Sequence, residues 1–538
     1  MMFDERAFRE GRIKEVRQDK FLHSFRLFTE AFPVAAKHRR ALQLLGSDIV
    51  DVRRWEGAGD RGAWTALIRF GQVMEGALGL HREVMALYSP DKEFQFRDFQ
   101  KLASFSQRQP REPSQDLYLV YADDPKLSAK LRDWTVREPI NAVPVPHSQA
   151  GTSDSSEVGQ EYAMAQALLR ELTNSIASQN LYEETLPVTG SAFFGRRDLL
   201  QDLASQLRSG KVCGIFGLRK TGKTSLVKEL GRQLVIAAPT QRIFVLRDME
   251  DLPKDPSEHS TALQMDLTAS LLPKLRDLKL RTHELTQLTE RSSLNDFRRA
   301  MQATLGHPNS RDIQMVVALD EIESLIGKDP RQSLDRPHVP EFLGIMRSLV
   351  QENPNFNVVI SGLTSAVLEA GVLYGRENPL FAWAKPYYMP PFDRVAADDL
   401  VRDIGTRMGV RWSDDALDKV FALSGGHVFL HRSLCARIAD SLPLDLSSRE
   451  VTEQRVSSVE RSWRRGVAEQ LQEMLSSLDR FYPDAADVLR LLAETDIDPD
   501  ELDRAYPSQI EHLLKLGLVD ETADEYELTA FSRLALRT

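Results

Sequence analysis

Apolar and polar residues follow two different periods along the first 145 residues. A period of about 3.6 predicts helices, and a period of two or a short apolar run predicts strands. The predicted helices lie at about 4–45, 64–80, 94–106 and 126–134, and the predicted strands at 82–89, 116–124 and 141–145. Because strands joined through helices usually run parallel, we expect residues 1–145 to form a small α/β module with parallel strands.

A stretch rich in proline, serine and glycine follows this module. The sequence VPVPHSQAGTSDSSEVGQ, residues 143–160, has no apolar period and is typical of a linker. A helical pattern follows at 161–179. Residues 146–185 are therefore interpreted as a linker and a helix.

Four apolar runs after the linker predict the strands of a second sheet. They lie at 211–217, 242–249, 315–321 and 356–362, with long helical segments between them. Later residues show helical periodicity, and the last stretch predicts three helices and then a strand, a turn and a strand, the order of a winged helix. The predicted domains are an α/β core at 186–391, a helical lid at 392–475 and a winged helix at 476–538.

The composition is that of a globular protein without a membrane span. Hydrophobic residues make up 42% and charged residues 28%, and no run of about 18 apolar residues appears. The densely charged N-terminus lacks the apolar segment of a secretory signal, and Cys213 and Cys435 have no metal-binding spacing. We therefore expect a cytoplasmic protein with no membrane partner. The net charge of -10 argues against general affinity for nucleic acids.

A glycine-rich loop lies between the first strand and the first helix of the second sheet. The sequence GIFGLRKTGKTSL, residues 214–226, fits G-x-x-x-x-G-K-[ST], whose backbone N–H groups wrap a phosphate at the helix N-terminus. Lys223 is expected to reach the β- and γ-phosphates and Thr224 to bind Mg²⁺. The predicted nucleotide-binding residues here are Gly217, Leu218, Arg219, Lys220, Thr221, Gly222, Lys223, Thr224 and Ser225.

Two adjacent carboxylates end a later strand, in VVALDEIE at residues 316–323. Asp320 is expected to bind Mg²⁺ together with Thr224, and Glu321 to polarise the attacking water. Lys223, Asp320 and Glu321 are therefore the predicted catalytic residues of an ATPase whose ligands are ATP or ADP and Mg²⁺. Glu323 is interpreted as a solvated or more peripheral residue.

Polar residues elsewhere are candidate sensors of the γ-phosphate. Ser361 and Thr364 end a strand that is expected to lie between the other two, and a simple helix N-cap explains them equally well. Arg376 and the loop residue Arg219 have the chemistry to stabilise negative charge in a transition state. For each arginine a structural role is the more ordinary interpretation.

Several segments together resemble the STAND and archaeal-type branch of the AAA+-like ATPases over about residues 190–440. They are FFGRRDLL, GIFGLRKTGKTSL, VVALDEIE, NPLF…YYMPPFDRVAADDLV and LSGGHVFLHRSLCARI. The resemblance implies a P-loop ATPase core with a helical lid. The residues that it places at the nucleotide are Phe194, Gly195 and Arg196 near the adenine and Gly425, Gly426 and His427 in the lid. The chain departs from the family in having Val428 where a proline is usual, and Arg432 is only a tentative match for a second sensor arginine.

The N-terminal module resembles an uncharacterised module fused to bacterial ATPases, and its α/β order is similar to that of TIR-like domains. Glu75 and Glu83 are the acids nearest the expected sheet edge, and exposed helix glutamates are the ordinary interpretation. Asp123 and Asp124 end a predicted strand, where sites occur in open α/β sheets, and a turn cap is the simpler interpretation. No convincing D…ExK nuclease pattern is present.

The charge of the predicted winged helix argues against DNA binding. Residues 481–538 contain 14 Asp and Glu against 5 Lys and Arg. A domain that reads DNA needs basic side chains to neutralise phosphates. We therefore expect this domain to act within the molecule or as a docking face, as the winged helix does in the family that the chain resembles.

These observations favour an ATP-binding, slowly ATP-hydrolysing switch that couples nucleotide state to the N-terminal module. The resemblance adds antiphage signalling as a setting, a homo-oligomer on activation, and a protein partner or trigger at the N-terminal module or the winged helix. Two alternatives stay open. One is a DNA-associated AAA+ ATPase similar to origin-recognition or transposition ATPases, and the other is a TIR-like NAD hydrolase gated by the ATPase.

Overall fold

A computed structural model describes residues 19–537 except for 56–61, 108–110, 112, 138–139, 146–155, 184–185, 328–335, 382, 496–497 and 523–524. Contacts between residues divide the chain into two units. The first unit combines the N-terminal part up to Leu181 with Arg402–Ser413 and Ala439–Val451, and the second contains Tyr182–Val401, Asp414–Ile438 and the chain from Thr452 onward. Within the described part of the chain, we find no helix with the length and apolarity that a membrane span requires.

The first unit is built on a five-stranded mixed sheet with the strand order β1-β2-β3-β4-β5. Its strands are β1 (Asp48–Arg54), β2 (Trp64–Arg69), β3 (Val84–Ser89), β4 (Tyr118–Ala122) and β5 (Ala142–Pro144). Its helices are α1 (described over residues 19–31), α2 (Val34–Leu44), α3 (Gln72–Leu78), α4 (Phe96–Gln107), α5 (Leu127–Arg137) and α6 (Glu157–Ser178). The pairs β1–β2 and β2–β3 are antiparallel, and β3–β4 and β4–β5 are parallel.

Helices cover both faces of this sheet. Phe28, Leu42 and Leu172, from α1, α2 and α6, are buried in the core on one face. Phe99 and Leu131, from α4 and α5, are buried on the other face. The first unit is therefore a three-layer α/β sandwich, and α6 belongs to its core.

One expectation for this unit is wrong. The segment 64–80 is not one helix, because its first part is the buried strand β2 and only its second part is α3. A short apolar run fits a buried strand as well as a helix face, and pairing with β1 and β3 decides between them. The three strands that the sequence predicted, β3, β4 and β5, do run parallel. The strands β1 and β2, which the sequence did not predict, pair antiparallel and make the sheet mixed.

The stretch interpreted as a linker is partly structured. Strand β5 includes Val143 and Pro144, and α6 begins at Glu157 after Ser156, whose hydroxyl accepts a hydrogen bond from the Gly159 amide at 3.1 Å. Residues 146–155 of the predicted linker and residues 4–18 of the predicted first helix lie outside the described residues. Both ends of the predicted linker, 143–160, therefore belong to regular elements, the first to β5 and the second to α6.

The second unit contains a five-stranded sheet whose neighbouring strands are all parallel. Its strands are β6 (Cys213–Phe216), β7 (Arg242–Asp248), β8 (Gln314–Asp320), β9 (Phe356–Gly362) and β12 (Lys385–Tyr388), in the order β12-β6-β9-β8-β7. A separate hairpin pairs β10 (Val372–Leu373) with β11 (Arg376–Glu377). The helices of this core are α7 (Arg197–Arg208), α8 (Lys223–Ala237), α9 (His259–Asp277), α10 (His283–Thr286), α11 (Leu294–Leu305), α12 (Ile322–Ile326), α13 (His338–Glu352) and α14 (Ala366–Glu369).

This sheet has the α/β fold of P-loop nucleoside triphosphatases. The glycine-rich loop follows β6, the paired acids follow β8, and β9 lies between these two strands, as the sequence predicted. Strand β12 was not predicted, because its sequence KPYY is short and half exposed. Since all five strands run parallel, their carboxyl ends meet along one edge of the sheet, where ligands bind in open α/β sheets.

Helices make up most of the chain after the sheet. They are α15 (Arg394–Arg407), α16 (Asp414–Ser424), α17 (Val428–Asp440), α18 (Glu453–Phe481), α19 (Pro483–Glu494), α20 (Pro499–Ala505), α21 (Pro507–Lys515) and α22 (Ala530–Ala535). Short strands pair as β13 (Arg411–Trp412) with β14 (Glu450–Val451) and as β15 (Val519–Glu521) with β16 (Tyr526–Leu528). We name residues 483–535, with three helices followed by a hairpin and α22, the C-terminal bundle. Its element order is the one predicted, and its description as a winged helix stays a prediction.

Two segments that the sequence placed in the lid pack within the first unit. The buried Arg449 donates hydrogen bonds to the carbonyl oxygens of Ala177 at 3.1 Å and of Met408 at 2.9 Å. Arg407 forms an ion pair with Asp116 at 2.6 Å, in which both side chains are mostly buried. These contacts, rather than any local pattern, group the end of α15 and the segment after α17 with the N-terminal module.

Gly79 tests this packing directly. Its φ is 66°, and a Cβ at this position would lie 1.8 Å from the carbonyl oxygen of Thr406. We expect Gly79→Ala to lower the free energy of unfolding by more than about 1 kcal/mol, because the left-handed conformation alone costs an L-residue that much. Gly76→Ala is the matched control, since its Cβ would meet nothing within 4 Å and a helical alanine is favoured. Equal urea midpoints for the two variants would contradict the packing.

Candidate functional site

The glycine-rich loop connects β6 to α8 at the carboxyl edge of the parallel sheet. All residues of β6 are buried, which anchors the start of the loop. Gly222, the last loop residue, has a φ of 91°, a conformation that favours glycine. The Thr221 hydroxyl donates to the Leu218 carbonyl oxygen at 2.8 Å and closes the turn. The loop therefore delivers its backbone to the N-terminus of a 15-residue helix, where an anion is stabilised.

The Lys223 ammonium lies inside this loop. Its side chain is buried, and Nζ donates to the carbonyl oxygens of Gly217 and Leu218, both at 3.0 Å. A buried ammonium needs such partners, because removing it from water is costly. The structure thus holds the predicted phosphate-binding cation at the position where the loop and helix N-terminus converge.

Asp320 ends β8 and is almost completely buried. Its Oδ1 accepts a hydrogen bond from the hydroxyl of Ser361 on the neighbouring strand β9. Its Oδ2 is buried, and no described residue donates a hydrogen bond to it. A buried, unsatisfied carboxylate oxygen suits a hard cation such as Mg²⁺, which binds through one or two carboxylates. Asp320 and the half-buried Thr224 are thus compatible with the predicted metal site.

Glu321 follows Asp320 in a left-handed conformation with a φ of 52°. Burial raises the pKa of Glu321, a hydrogen bond with Glu323 raises it further, and the nearby charge of Lys223 opposes both effects. A carboxyl group with a raised pKa is better matched to accepting a proton near neutral pH than an ordinary glutamate. The structure therefore brings Lys223, Asp320, Glu321 and Ser361 together at one edge of the sheet.

Of the two interpretations that the sequence allowed for Glu323, a solvated residue or a more peripheral residue of the site, the structure excludes the first. Glu323 is buried, and its Oε2 accepts a hydrogen bond from the Leu363 amide at 2.9 Å, just beyond β9. The signal for this was present in the sequence, because Ile322, Leu325 and Ile326 show that α12 is short and apolar on most sides. Glu323 therefore links the helix after Asp320 to the end of the central strand.

The turn Phe194–Gly195–Arg196 is held against the loop by the arginine. Arg196 donates to the carbonyl oxygens of Thr221 at 2.6 Å and Pro390 at 2.7 Å, and its guanidinium lies 5.0 Å from the centre of the Phe392 ring. Burial lowers the pKa of Arg196 to about 9. Arg196 thus joins the turn, the loop and the segment after β12 through main-chain acceptors.

His427 follows the lid turn of Gly425 and Gly426 and faces the C-terminal bundle. Its ring stacks on Phe531 at 4.7 Å and 17° between planes. Within the part of the chain that the structure describes, neither buried ring nitrogen has a hydrogen-bond partner. Burial lowers the pKa of His427 to about 3. A buried, neutral imidazole without a partner is costly, so it is available to hydrogen-bond a group brought into this place.

The pocket at His427 is nearly closed. It has a volume of about 20 Å³, room for roughly one water molecule and far less than a nucleobase needs. Its lining combines loop and turn residues with residues of the C-terminal bundle, namely Arg196, Thr221, Met389, Pro390, Pro391, Gly425, His427, Val428, Leu516, Gly517, Thr529 and Phe531. In this conformation the bundle therefore helps to close the predicted adenine position.

The remaining sensor candidates differ in position. Thr364 is buried just after β9, whereas Arg376 lies exposed on the β10–β11 hairpin. Arg219, in the loop, pairs with Glu473 of α18 at 2.8 Å. Lys220 lies 4.5 Å from the ring centre of Phe429 in the lid. Two loop residues that the sequence assigned to the nucleotide therefore also contact helices of the lid region in this structure.

Sequence reasoning missed a hydrogen-bonded connection from the end of β9 to the C-terminal bundle. The Tyr482 hydroxyl accepts from the Ser365 amide at 3.1 Å and donates to the Leu363 carbonyl oxygen at 3.4 Å. Glu369 pairs with His512 at 3.5 Å, and the hydrogen bond from His512 lowers the pKa of Glu369 to about 2. No local pattern could reveal these contacts, because their partners are more than a hundred residues apart.

Similar solved structures include a Walker-type ATPase, an ORC2 protein and a RuvB motor. A Walker-type ATPase of Pyrococcus abyssi is 17% identical over 66% of this chain and 100% of its own, with a TM-score of 0.46. The ORC2 protein of Aeropyrum pernix is 14% identical over 66% and 96%, with a TM-score of 0.41. The RuvB Holliday junction branch migration motor of Thermotoga maritima is 15% identical over 64% and 95%, with a TM-score of 0.34. No protein-family model matches the chain, and no curated protein matches its sequence.

The buried state of His427 predicts a pH-dependent stability difference. Because its folded pKa is lowered, the unfolded chain binds a proton that the folded chain does not, and stability falls as the pH drops through about 6.5. His427→Phe keeps an aromatic partner for Phe531 and removes this titration. We expect wild type to lose about 2 kcal/mol more than the variant between pH 7.5 and pH 5.

Urea unfolding at both pH values measures this difference. His283→Asn is the control, because His283 is exposed on the short helix α10, and it should follow wild type. Parallel pH dependences of wild type and His427→Phe would show that His427 titrates as an exposed histidine.

Proposed function

We propose that this chain binds ATP with Mg²⁺, hydrolyses it slowly, and uses the bound nucleotide as a conformational switch. The observation that carries the proposal is the grouping of the buried Lys223 and Asp320 with the half-buried Glu321 at the carboxyl edge of a parallel sheet. Buried charges are expensive and persist where they are paired or used. Phosphoryl transfer uses such a cation, a metal-binding acid and a base together.

The roles follow from position. Lys223 and the loop amides bind the β- and γ-phosphates at the N-terminus of α8. Thr224 and Asp320 hold the metal, which when bound neutralises phosphate charge. Glu321 orients the attacking water and accepts its proton, and Ser361, bonded to Asp320, keeps that carboxylate in place. Thr364, just beyond the central strand, is a candidate for contact with the γ-phosphate.

The C-terminal bundle is the proposed reporter of nucleotide state. Leu516, Thr529 and Phe531 line the same small pocket as Arg196 and Thr221. A base that enters there needs more room than about 20 Å³, so binding requires the bundle or the lid turn to shift. A ligand that contacts two conformations differently changes their populations, which is what a switch requires.

A second set of contacts joins the segment after β9 to the C-terminal bundle and to Tyr482, the residue directly before the bundle. Tyr482 hydrogen-bonds the main chain at Leu363 and Ser365, directly after the strand that carries Ser361. The Glu369 carboxylate also lies 3.5 Å from His512 Nε2. If γ-phosphate binding moves this segment, Tyr482 transmits the movement to the start of α19. Glu369 transmits it to α21 through His512.

The proposal includes assembly into a homo-oligomer on activation and a role in antiphage signalling, both taken from the resemblance in sequence. A DNA-associated ATPase is the second candidate from that resemblance, but the excess of acidic residues in the C-terminal bundle opposes contact with phosphates. A TIR-like hydrolase receives less support, since the N-terminal sheet is mixed.

Substitution of Glu321 separates binding from hydrolysis. We expect Glu321→Gln to lower the ATP hydrolysis rate by about 100-fold or more, as loss of a general base does, while ATP affinity is retained. Lys223→Ala should weaken ATP binding by at least about tenfold, because the phosphates lose their buried cation. Lys228→Ala, an exposed lysine on the same helix, is the control and should match wild type.

Isothermal titration and phosphate release measure the two quantities. Equal hydrolysis by Glu321→Gln and wild type would exclude Glu321 as the base. Light scattering of Glu321→Gln with ATP and with ADP also tests the assembly proposal, and one unchanged mass in both samples would contradict it.

Removal of one hydroxyl tests the proposed readout. Tyr482→Phe keeps the ring but loses its hydrogen bonds to Ser365 and Leu363. We expect hydrogen–deuterium exchange of the C-terminal bundle to differ between ADP and a non-hydrolysable ATP analogue in wild type, and this difference to shrink in Tyr482→Phe while ATP affinity is retained. Tyr506→Phe, at an exposed position within the C-terminal bundle, is the control. An undiminished difference in Tyr482→Phe would rule out this contact as the link.

A further inference from the structure

A polar cleft in the first unit is separate from the glycine-rich loop. It has a volume of about 400 Å³, within the range of small-molecule sites. Its lining residues are Arg69, Phe70, Glu75, His81, Arg82, Glu83 and Arg111. The lining thus contains three arginines and a histidine against two glutamates, so that the cleft favours an anion.

The sheet itself positions the core of the cleft. Strands β2 and β3 pair antiparallel with Ile68 opposite Val84, which sets Arg69 beside Glu83 at the same sheet end. Glu83 Oε1 accepts from Arg69 Nη2 and Arg111 Nη2, both at 2.7 Å. The Glu83 side chain is only 12% exposed. One mostly buried carboxylate therefore fixes two guanidinium groups at the wall of an open cleft.

Two features go beyond a structural ion pair. Among the described residues, Glu83 Oε2 has no hydrogen-bond partner although it is buried, which leaves an acceptor that a purely structural ion pair would be expected to satisfy. Arg82 and His81 are exposed on the lining. Arg82, which directly precedes Glu83 in the chain, thus adds positive charge to the cleft. It does so in addition to Arg69 and Arg111, which Glu83 binds.

We propose that this cleft binds a phosphorylated small molecule that carries neighbouring hydroxyl groups. Guanidinium groups held in a fixed orientation match the oxygens of a phosphate in a bidentate manner. The free oxygen of Glu83 accepts a hydrogen bond from a ligand hydroxyl. The volume fits a sugar phosphate or a mononucleotide, and both share this chemistry. The site makes the N-terminal module a sensor of a small molecule, and it does not depend on ATP binding elsewhere in the chain.

The test uses the full chain, ribose 5-phosphate, AMP and inorganic phosphate as probes, and isothermal titration. We expect ribose 5-phosphate to bind at least tenfold more tightly than inorganic phosphate, because only the sugar supplies hydroxyl donors to Glu83. Tighter binding of AMP than of ribose 5-phosphate identifies a nucleotide as the ligand class, and equal binding identifies a sugar phosphate.

Three variants locate the binding. Arg82→Ala should weaken ribose 5-phosphate binding by about tenfold, a loss of about 1.4 kcal/mol, without a change in the urea midpoint, because Arg82 is exposed. Arg97→Ala removes another exposed arginine of the same unit and should have no effect. Lys223→Ala should also leave this binding intact, which distinguishes the cleft from the glycine-rich loop.

Absence of binding by both organic probes would overturn the proposal. So would binding that survives Arg82→Ala and disappears in Lys223→Ala, since it would then belong to the loop. Binding of an oligonucleotide with no binding of either small probe would replace the small molecule with a nucleic-acid backbone and would equally overturn it.

Discussion

The burial of charge at the carboxyl edge of the parallel sheet is the constraint on which the second unit depends. Lys223, Asp320, Glu321 and Glu323 all lie mostly out of water beside apolar strands. An unpaired buried charge is strongly destabilising, so each has a specific compensation. Lys223 has two loop carbonyls, Asp320 has the Ser361 hydroxyl, and Glu323 has the Leu363 amide. Glu321 is compensated instead by a raised pKa.

These interactions leave some buried polar atoms without a hydrogen bond, and those atoms indicate which ligands the site is suited to bind. Asp320 Oδ2 and both ring nitrogens of His427 are buried and have no hydrogen-bond partner among the described residues. The Asp320 oxygen suits a metal ion, and the His427 nitrogens suit the polar edge of a ligand. The nearly closed pocket beside His427 is lined in part by the C-terminal bundle. A ligand that entered this pocket would therefore have to displace residues of the C-terminal bundle or of the lid turn.

The first unit is organised around its mixed sheet and a polar cleft at one end of that sheet. Its sheet is covered on both faces by helices, and its polar cleft lies where antiparallel strands bring Arg69 beside Glu83. The two segments Arg402–Ser413 and Ala439–Val451 complete this unit through Arg407 and Arg449. A module that looks separate in the sequence therefore includes residues from the middle of the chain.

The amino-acid sequence by itself determined the glycine-rich loop, the paired acids and the strands β6 to β9, because each depends on local spacing and on uninterrupted apolar runs. It also determined the acidic character of the C-terminal bundle. Only the tertiary structure decided that β2 is a strand, that β1 to β3 are antiparallel, that Glu323 is buried, and that Tyr482 meets the end of β9. The physical reason is that an apolar run can be buried in a helix or a strand, and that strand direction and side-chain partners depend on distant residues whose contacts no local period records.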